Sequence, residues 1–98
     1  MWILESSTGA DEKLTFRVPA GAVKTIGRAT GAEFIVDAPL VSRLHCQITA
    51  TATSLHLKDL DSTNGTFVNG ARVQTAQLRE GDTLSVGRVD LIVSKKAI

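Results

Sequence analysis

The chain has 98 residues, of which 43% are apolar and 21% are charged, and its 11 basic residues nearly balance 10 acidic ones. This length predicts one domain over residues 1–98, because each half of a two-domain chain would bury too little apolar surface to fold. The composition excludes a disordered chain, and the formal net charge of +1 excludes a continuous basic surface for nucleic acid.

Short apolar segments separated by turn residues run along the whole chain. Their spacing, about eight to twelve residues, predicts an all-β sandwich of about eight to eleven short, mainly antiparallel strands. The predicted strands cover residues 2–4, 14–18, 22–26, 34–36, 44–50, 54–60, 66–68, 83–86 and 89–93. Between them, the Asn-Gly pairs at 64–65 and 69–70 favour tight turns. No segment favours a helix over a strand.

Period-two alternation within two of these strands predicts which side chains form the core. Alternate residues of a strand point to opposite faces of its sheet, so an apolar residue at every second position indicates a buried face. The residues expected to be buried are Leu14, Phe16 and Val18 in one strand and Leu44, Cys46, Ile48 and Ala50 in the other. His56, between Leu55 and Leu57, is expected to be exposed.

Cysteine and histidine usage excludes several kinds of site. The single cysteine, Cys46, excludes an internal disulfide, and with His45 and His56 it does not give the four-ligand spacing of a structural zinc site. No apolar run approaches the roughly 18 residues of a membrane-spanning helix. The first apolar segment, residues 2–4, is too short for a signal peptide. We therefore expect no metal, cofactor or membrane contact, and an intracellular location, either cytoplasmic or nuclear.

The common motifs of catalysis are absent from the sequence. There is no Gly-x-Ser-x-Gly elbow, Walker loop, Gly-x-Gly-x-x-Gly or His-Glu-x-x-His. Ser42, His45 and Asp61 are the residue types of a hydrolytic triad, but their spacing matches no nucleophile elbow. We interpret them as loop and strand-end residues with structural hydrogen bonds, and we expect no enzymatic activity.

Polar residues gather in three segments: one ends a predicted strand, one enters another, and one joins two more. These are Gly27-Arg28, residues 42–45 and residues 61–66. Taken singly, each of their side chains is more often a solvated or turn residue than a ligand contact. Loops of a sandwich can converge at one end, however, and binding residues are often carried by loops on a rigid scaffold. The conjunction of the three segments therefore favours a binding site.

These segments resemble the motifs of forkhead-associated (FHA) domains. Gly27-Arg28, Ser42-Arg43-Leu44-His45 and residues 62–66 match the family's Gly-Arg, Ser-x-x-His and Ser-x-Asn-Gly-Thr motifs in that order. Residues 68–70 and the Leu-x-x-Gly-Asp-x-Leu-x-x-Gly stretch at 78–87 extend the resemblance, so that it covers about residues 22–93. The resemblance implies a sandwich of the FHA/SMAD-like type that binds phosphothreonine-containing protein segments through loops at one end.

The resemblance also implies roles for five ligand-binding side chains. Arg28 and the Ser42 hydroxyl would contact the phosphate, with Arg43 beside it as a further donor. Thr63 would lie near the phosphate and its threonine, and Asn64 would hydrogen-bond to the peptide backbone. Such donors suit a phosphate group, which carries about −1.5 to −2 charges and three acceptor oxygens.

Three further residues would support the site without touching the ligand. The resemblance assigns His45 to a bridge between the loops behind the site. Gly27 is expected where two backbones approach closely, and Gly65 where the backbone needs a positive φ.

Two alternatives accompany this interpretation. Residues 1–4, 57–59 and 65–69 resemble the amino-terminal FHA domain of the nibrin family of DNA-repair scaffolds, which would imply a nuclear partner and a role in the DNA damage response. In the other alternative, the sandwich is a phosphate-independent protein–protein interaction module that pairs through a sheet face or edge.

Overall fold

Eleven β-strands form two sheets in the computed structural model, which describes residues 1–10 and 12–96. The strands are β1 Trp2–Thr8, β2 Thr15–Val18, β3 Val23–Gly27, β4 Phe34–Ile35, β5 Cys46–Ala50, β6 Leu55–Asp59, β7 Thr66–Val68, β8 Ala71–Val73, β9 Thr75–Leu78, β10 Thr83–Val86 and β11 Val89–Lys95. These described residues contain no helix, so the predicted all-β fold is confirmed. It follows that no helix in them could cross a membrane.

The two sheets have six and five strands. The larger has the order β2-β1-β11-β10-β7-β8 and the smaller the order β4-β3-β5-β6-β9. Strands pair antiparallel throughout, except for β3 and β4, which pair parallel over two residues. The strand arrangement is therefore mainly antiparallel, as the sequence predicts.

The core lies between the sheets and is built from alternate side chains of their strands. In β5 the buried residues are Cys46, Ile48 and Ala50, and in β6 Leu55 and Leu57 alternate with exposed His56. Each large apolar side chain that is fully buried stabilises the fold by about 1.5–3 kcal/mol relative to exposure. Cys46 belongs to this core as predicted, and burial, together with the charge of Asp59, raises the pKa of its thiol to about 12.

Two strands escape prediction because they lack the apolar signal. β8 (Ala71–Val73) and β9 (Thr75–Leu78) are short and mostly polar or exposed, and each forms one edge of its sheet. An edge strand is held mainly by backbone hydrogen bonds to a single neighbour, so its side chains need not alternate in polarity. The sequence therefore gives little indication of these strands beyond the turn that precedes β8.

The predicted core position of Leu44 is wrong. Its side chain is 48% exposed, because β5 begins only at Cys46 and the period-two pattern does not extend back into the preceding loop. His45, which the same pattern turns outward, is instead fully buried. The polar ring takes the inward position because both of its nitrogens find hydrogen-bond partners there.

Candidate functional site

The three polar segments meet at one end of the sandwich through hydrogen bonds between loops. The Arg28 backbone N–H donates to the Ser42 carbonyl oxygen at 2.9 Å, and the Thr63 N–H donates to Ser42 Oγ at 3.0 Å. Asn64 Nδ2 donates to the Leu40 carbonyl oxygen at 3.0 Å. The β4–β5 loop (residues 36–45) therefore lies between the β3–β4 loop (residues 28–33) and the β6–β7 loop (residues 60–65).

Arg28 presents an oriented guanidinium at this end. Its Nε donates to the Val41 carbonyl oxygen at 3.0 Å, which fixes the plane of the group while the side chain remains exposed. Among the described residues, no carboxylate lies within 4.0 Å of it. Its two terminal nitrogens, which no described residue contacts by a hydrogen bond, can therefore donate as a fork to an anion.

The Ser42 hydroxyl is held so that its proton is available. Ser42 Oγ accepts the hydrogen bond from the Thr63 N–H, and a hydroxyl has one proton to donate besides its acceptor lone pairs. No described residue accepts that proton. The half-buried Ser42 can therefore donate to the same anion as Arg28, since a backbone hydrogen bond joins the two residues.

His45 connects the loops from behind. Its Nδ1 accepts a hydrogen bond from the Ser42 N–H at 3.0 Å, and its Nε2 lies 2.8 Å from the Gly65 carbonyl oxygen. Because Nδ1 accepts, the ring proton is on Nε2 and is donated to Gly65. Neither nitrogen is left to take a proton from Ser42 Oγ, so the triad drawn from Ser42, His45 and Asp61 has no general base.

Two glycines are required by the backbone at this end. A Cβ at Gly27 would lie 2.0 Å from the Arg43 carbonyl oxygen, so only glycine permits this approach of β3 to the β4–β5 loop. Gly65 has a φ of 91°, in the left-handed region that favours glycine. A Cβ there would also lie 2.7 Å from Nε of Arg72.

Asp59 anchors the β6–β7 loop, although none of the FHA motifs includes it. Its Oδ1 accepts hydrogen bonds from Ser62 Oγ at 2.6 Å and Thr66 Oγ1 at 2.7 Å, and its Oδ2 accepts one from the Ser62 N–H at 3.2 Å. Ser62 Oγ in turn accepts from the Gly65 N–H at 3.0 Å. The carboxylate thus fixes the loop that carries Thr63 and Asn64.

The electrostatics of Asp59 follow from this network. Burial by itself raises the pKa of the carboxyl, but the hydrogen bonds from Ser62 and Thr66 outweigh burial, and the net pKa is below its ordinary value of 3.8. Alternation along β6 could have revealed the residue. Asp59 is in phase with Leu55 and Leu57, so the pattern predicts a carboxyl on the core face, where it needs several donors.

The other predicted binding side chains lie on the same loops. Arg43, Thr63 and Asn64 are exposed, and the Arg43 carbonyl oxygen accepts a hydrogen bond from the Ala29 N–H at 3.2 Å, which ties the β4–β5 loop to the β3–β4 loop. The Arg43 guanidinium makes no hydrogen bond or ion pair to a described residue. Residues 1–10 and 12–96 contain no cluster of three or more His, Cys, Asp or Glu side chains that could hold a metal ion.

A sandwich with these loop motifs defines a class of protein. Residues 24–87 match the family model described as FHA domain, which spans most of the chain. The chain therefore belongs to the FHA domain family, and the predicted family resemblance is confirmed.

Relatives and solved structures agree with this assignment. Over 80 residues the chain is 42% identical to the ABC transporter ATP-binding/permease protein Rv1747 of Mycobacterium tuberculosis, covering 82% of the chain and 9% of the transporter. The FHA domain of FhaA, solved in complex with the intracellular domain of Rv3910, is 36% identical with a TM-score of 0.84, covering 95% of this chain and 99% of that one.

A second structure, from a structural and functional analysis of phosphothreonine-dependent FHA domain interactions, is 35% identical with a TM-score of 0.84, covering 99% and 98% of the two chains. These similarities do not test the resemblance to the nibrin domain, which stays a prediction. The chain spans less than a tenth of the Rv1747 sequence, so the similarity concerns only a small part of that protein.

Proposed function

We propose that this chain is a binding module that recognises phosphothreonine-containing segments of other proteins through the three loops at one end of its sandwich, and that it catalyses no reaction. Membership of the FHA family supports the proposal. Two solved structures also support it. One concerns phosphothreonine-dependent interactions, and the other, of FhaA, is a complex with a protein domain.

One observation carries the proposal, namely the pair of unused donors on Arg28 and Ser42. Each side chain makes one hydrogen bond to nearby backbone: Arg28 Nε donates to the Val41 carbonyl oxygen, and Ser42 Oγ accepts from the Thr63 N–H. The remaining donors of both side chains are available to a ligand. A phosphate with about −1.5 to −2 charges binds well to such charge-assisted, pre-oriented donors. Arg43 would add a third donor from the same loop.

Thr63 and Asn64 would fix the peptide around the phosphate. Asn64 donates one amide N–H to the Leu40 carbonyl oxygen, and its second N–H and its Oδ1 can hydrogen-bond to a peptide backbone. Thr63 is exposed beside Ser42, where its methyl group can contact the methyl group of the bound threonine. Gly27, His45 and Gly65 would hold the loops without touching the ligand.

We further propose that residues 1–98 form one domain, because β1 and β11 pair directly and so join the two ends of the described chain within one sheet. We infer an intracellular partner, since protein kinases make phosphothreonine from ATP. Nucleic acid is not expected as a ligand, because the formal net charge is only +1.

Peptide binding by the purified domain tests the proposal. An oriented library of phosphothreonine peptides would be screened, and the best sequence measured by fluorescence anisotropy beside its unphosphorylated copy. We expect binding only when the threonine is phosphorylated. Equal binding of the two copies would contradict the proposal and would favour a phosphate-independent interaction module.

A further inference from the structure

Arg72 lies against the candidate site, although no motif includes it. It stands opposite Phe67 in the β7–β8 pair, and its side chain is exposed. The guanidinium covers Gly65, because a Cβ built on that glycine would be 2.7 Å from Arg72 Nε and 3.0 Å from Arg72 Cζ. The missing side chain of Gly65 therefore makes the space that Arg72 occupies.

The charge of Arg72 is not neutralised within the described part of the chain. No carboxylate there lies within 4.0 Å of its nitrogens, and its guanidinium donates no hydrogen bond to a described side chain or backbone group. Asp59, on the nearby end of β6, already accepts three hydrogen bonds from Ser62 and Thr66. The Arg72 guanidinium thus keeps all of its donors.

The position of Arg72 relative to a bound peptide follows from Gly65. Gly65 directly follows Asn64, the residue proposed to bind the peptide backbone, and its carbonyl oxygen bonds to His45. Residues of an extended peptide are about 3.3 Å apart, so a side chain within about three residues of the phosphothreonine can reach this place. A planar guanidinium packed against Gly65 also loses little freedom when it binds.

We propose that Arg72 binds an acidic group of the bound peptide, either a carboxylate or a second phosphate, within about three residues of the phosphothreonine. This inference rests on the proposed function and deepens it, since it defines the preferred ligand as a phosphothreonine segment with an acidic flank. Both kinds of acidic group present oxygens that a guanidinium fork can bind in pairs.

Matched peptides measured against three protein variants test the inference. Each peptide has one phosphothreonine and an acidic residue, a second phosphothreonine or alanine at one flanking position, scanned over three positions on either side. Arg72→Gln removes the charge and keeps most of the side chain. Arg17→Gln is the control, because exposed Arg17 lies on β2, at the opposite edge of the same sheet, five strand spacings or about 24 Å along the sheet from β8.

We expect one flanking position at which the acidic peptide binds wild type and Arg17→Gln about three- to tenfold more tightly than the alanine peptide. Arg72→Gln should abolish this difference and bind the alanine peptide normally. Arg72→Glu should invert it, so that a lysine at that position binds better than an acid. The two kinds of acidic group are distinguished by which peptide, the one with a carboxylate or the one with a second phosphate, gains more affinity over the alanine peptide.

Two outcomes would overturn the inference while leaving phosphothreonine binding intact. One is equal affinity of wild type for acidic and alanine peptides at every position. The other is an equal loss for both peptides in Arg72→Gln, which would indicate support of Gly65 rather than ligand contact. Failure of wild type to bind any phosphothreonine peptide would instead overturn the proposed function, and with it this inference.

Discussion

The middle and the end of strand β6 are stabilised by different interactions. Leu55 and Leu57 are buried in the apolar core, whereas Asp59, two residues further along the same face, is buried among hydroxyl and backbone donors. Apart from Trp2 with its indole N–H, the described residues with buried polar side chains all lie at or beside the loop end. They are His45, Asp59, Ser62 and Thr66.

This difference indicates that one region mainly stabilises the fold and the other mainly determines the conformation of the loops. The free energy gained by apolar burial is proportional to the buried area and does not depend on direction. The apolar middle of the sandwich therefore determines most of the fold's stability. Hydrogen bonds have preferred distances and angles, so the buried polar residues determine where the loops lie. A substitution in the middle should therefore change the folded fraction, and one at the loop end should change binding as well.

The largest effect is expected from the apolar middle. Leu57→Ala should lower the free energy of unfolding by about 2–5 kcal/mol. Leu57 is only 2% exposed, so removing its side chain leaves a cavity in the core. Urea denaturation measures this loss. At a temperature where the variant stays folded, its affinity for a phosphothreonine peptide should equal that of wild type. Weakened binding by the folded variant would break the separation of the two regions.

Arg28 should show the opposite behaviour. Arg28→Ala should weaken binding by about 1.5–3 kcal/mol, roughly ten- to a hundredfold, and Arg28→Lys should recover only part of this because lysine lacks the fork. The exposed side chain should leave the free energy of unfolding within about 0.5 kcal/mol of wild type. Titration calorimetry gives the affinities, and unchanged binding by Arg28→Ala would remove Arg28 from the site.

Asp59 combines both kinds of effect, and its stability contribution depends on pH. Asp59→Asn should cost about 1–3 kcal/mol at neutral pH, because its amide places a donor or a weaker acceptor against the Ser62 and Thr66 donors. The pKa of Asp59 is lowered in the folded state, so its stabilisation is present above about pH 4 and is lost as the pH falls through the folded pKa.

The gap between wild type and Asp59→Asn should therefore be constant near neutral pH and shrink in acid, as measured by urea denaturation at a series of pH values. Leu57→Ala is the control, because the unfolding free energy that it loses does not depend on an ionisable side chain. A gap for Asp59→Asn that is as large at low pH as at pH 7 would show that the lost carboxylate charge is not its cause.

The smallest effect concerns one methyl group of the ligand. Phosphothreonine and phosphoserine carry the same charge, so Arg28, Arg43 and Ser42 cannot distinguish them by electrostatics. If Thr63 contacts the threonine methyl, one buried carbon gives about 0.8 kcal/mol, roughly fourfold. Fluorescence anisotropy with peptides that differ only in this methyl measures the preference, and equal dissociation constants would indicate a charged surface without a shaped pocket.

The fold could be predicted from the sequence because its core strands alternate in polarity and turn residues separate them. The edge strands β8 and β9 could not, since edge strands depend on backbone pairing. At the site, the motifs predict Arg28, Ser42 and His45, whose loops the structure brings together. Arg72 could not be predicted, because its contact with Gly65 depends on the pairing of two strands and on a positive φ.

The antiparallel pairing of β1 with β11 has a consequence for how this domain can be joined to other sequence. The Met1 amino group and the Lys96 backbone N–H each bond to the other residue's carbonyl oxygen, at 2.9 and 2.8 Å. β11 begins after a turn at Gly87, where a Cβ would lie 3.0 Å from Val41 of the β4–β5 loop, and runs for seven residues toward Lys96.

At about 3.3 Å per residue, the first and last described residues are thus roughly 20 Å from the loop end, on the far side of the sandwich. A tether attached at either place, whether a linker to another domain, a fluorescent protein or a solid support, leaves the loops facing away from it. The fold therefore allows linkers at both Met1 and Lys96 on one side of the sandwich, with the candidate site on the opposite side.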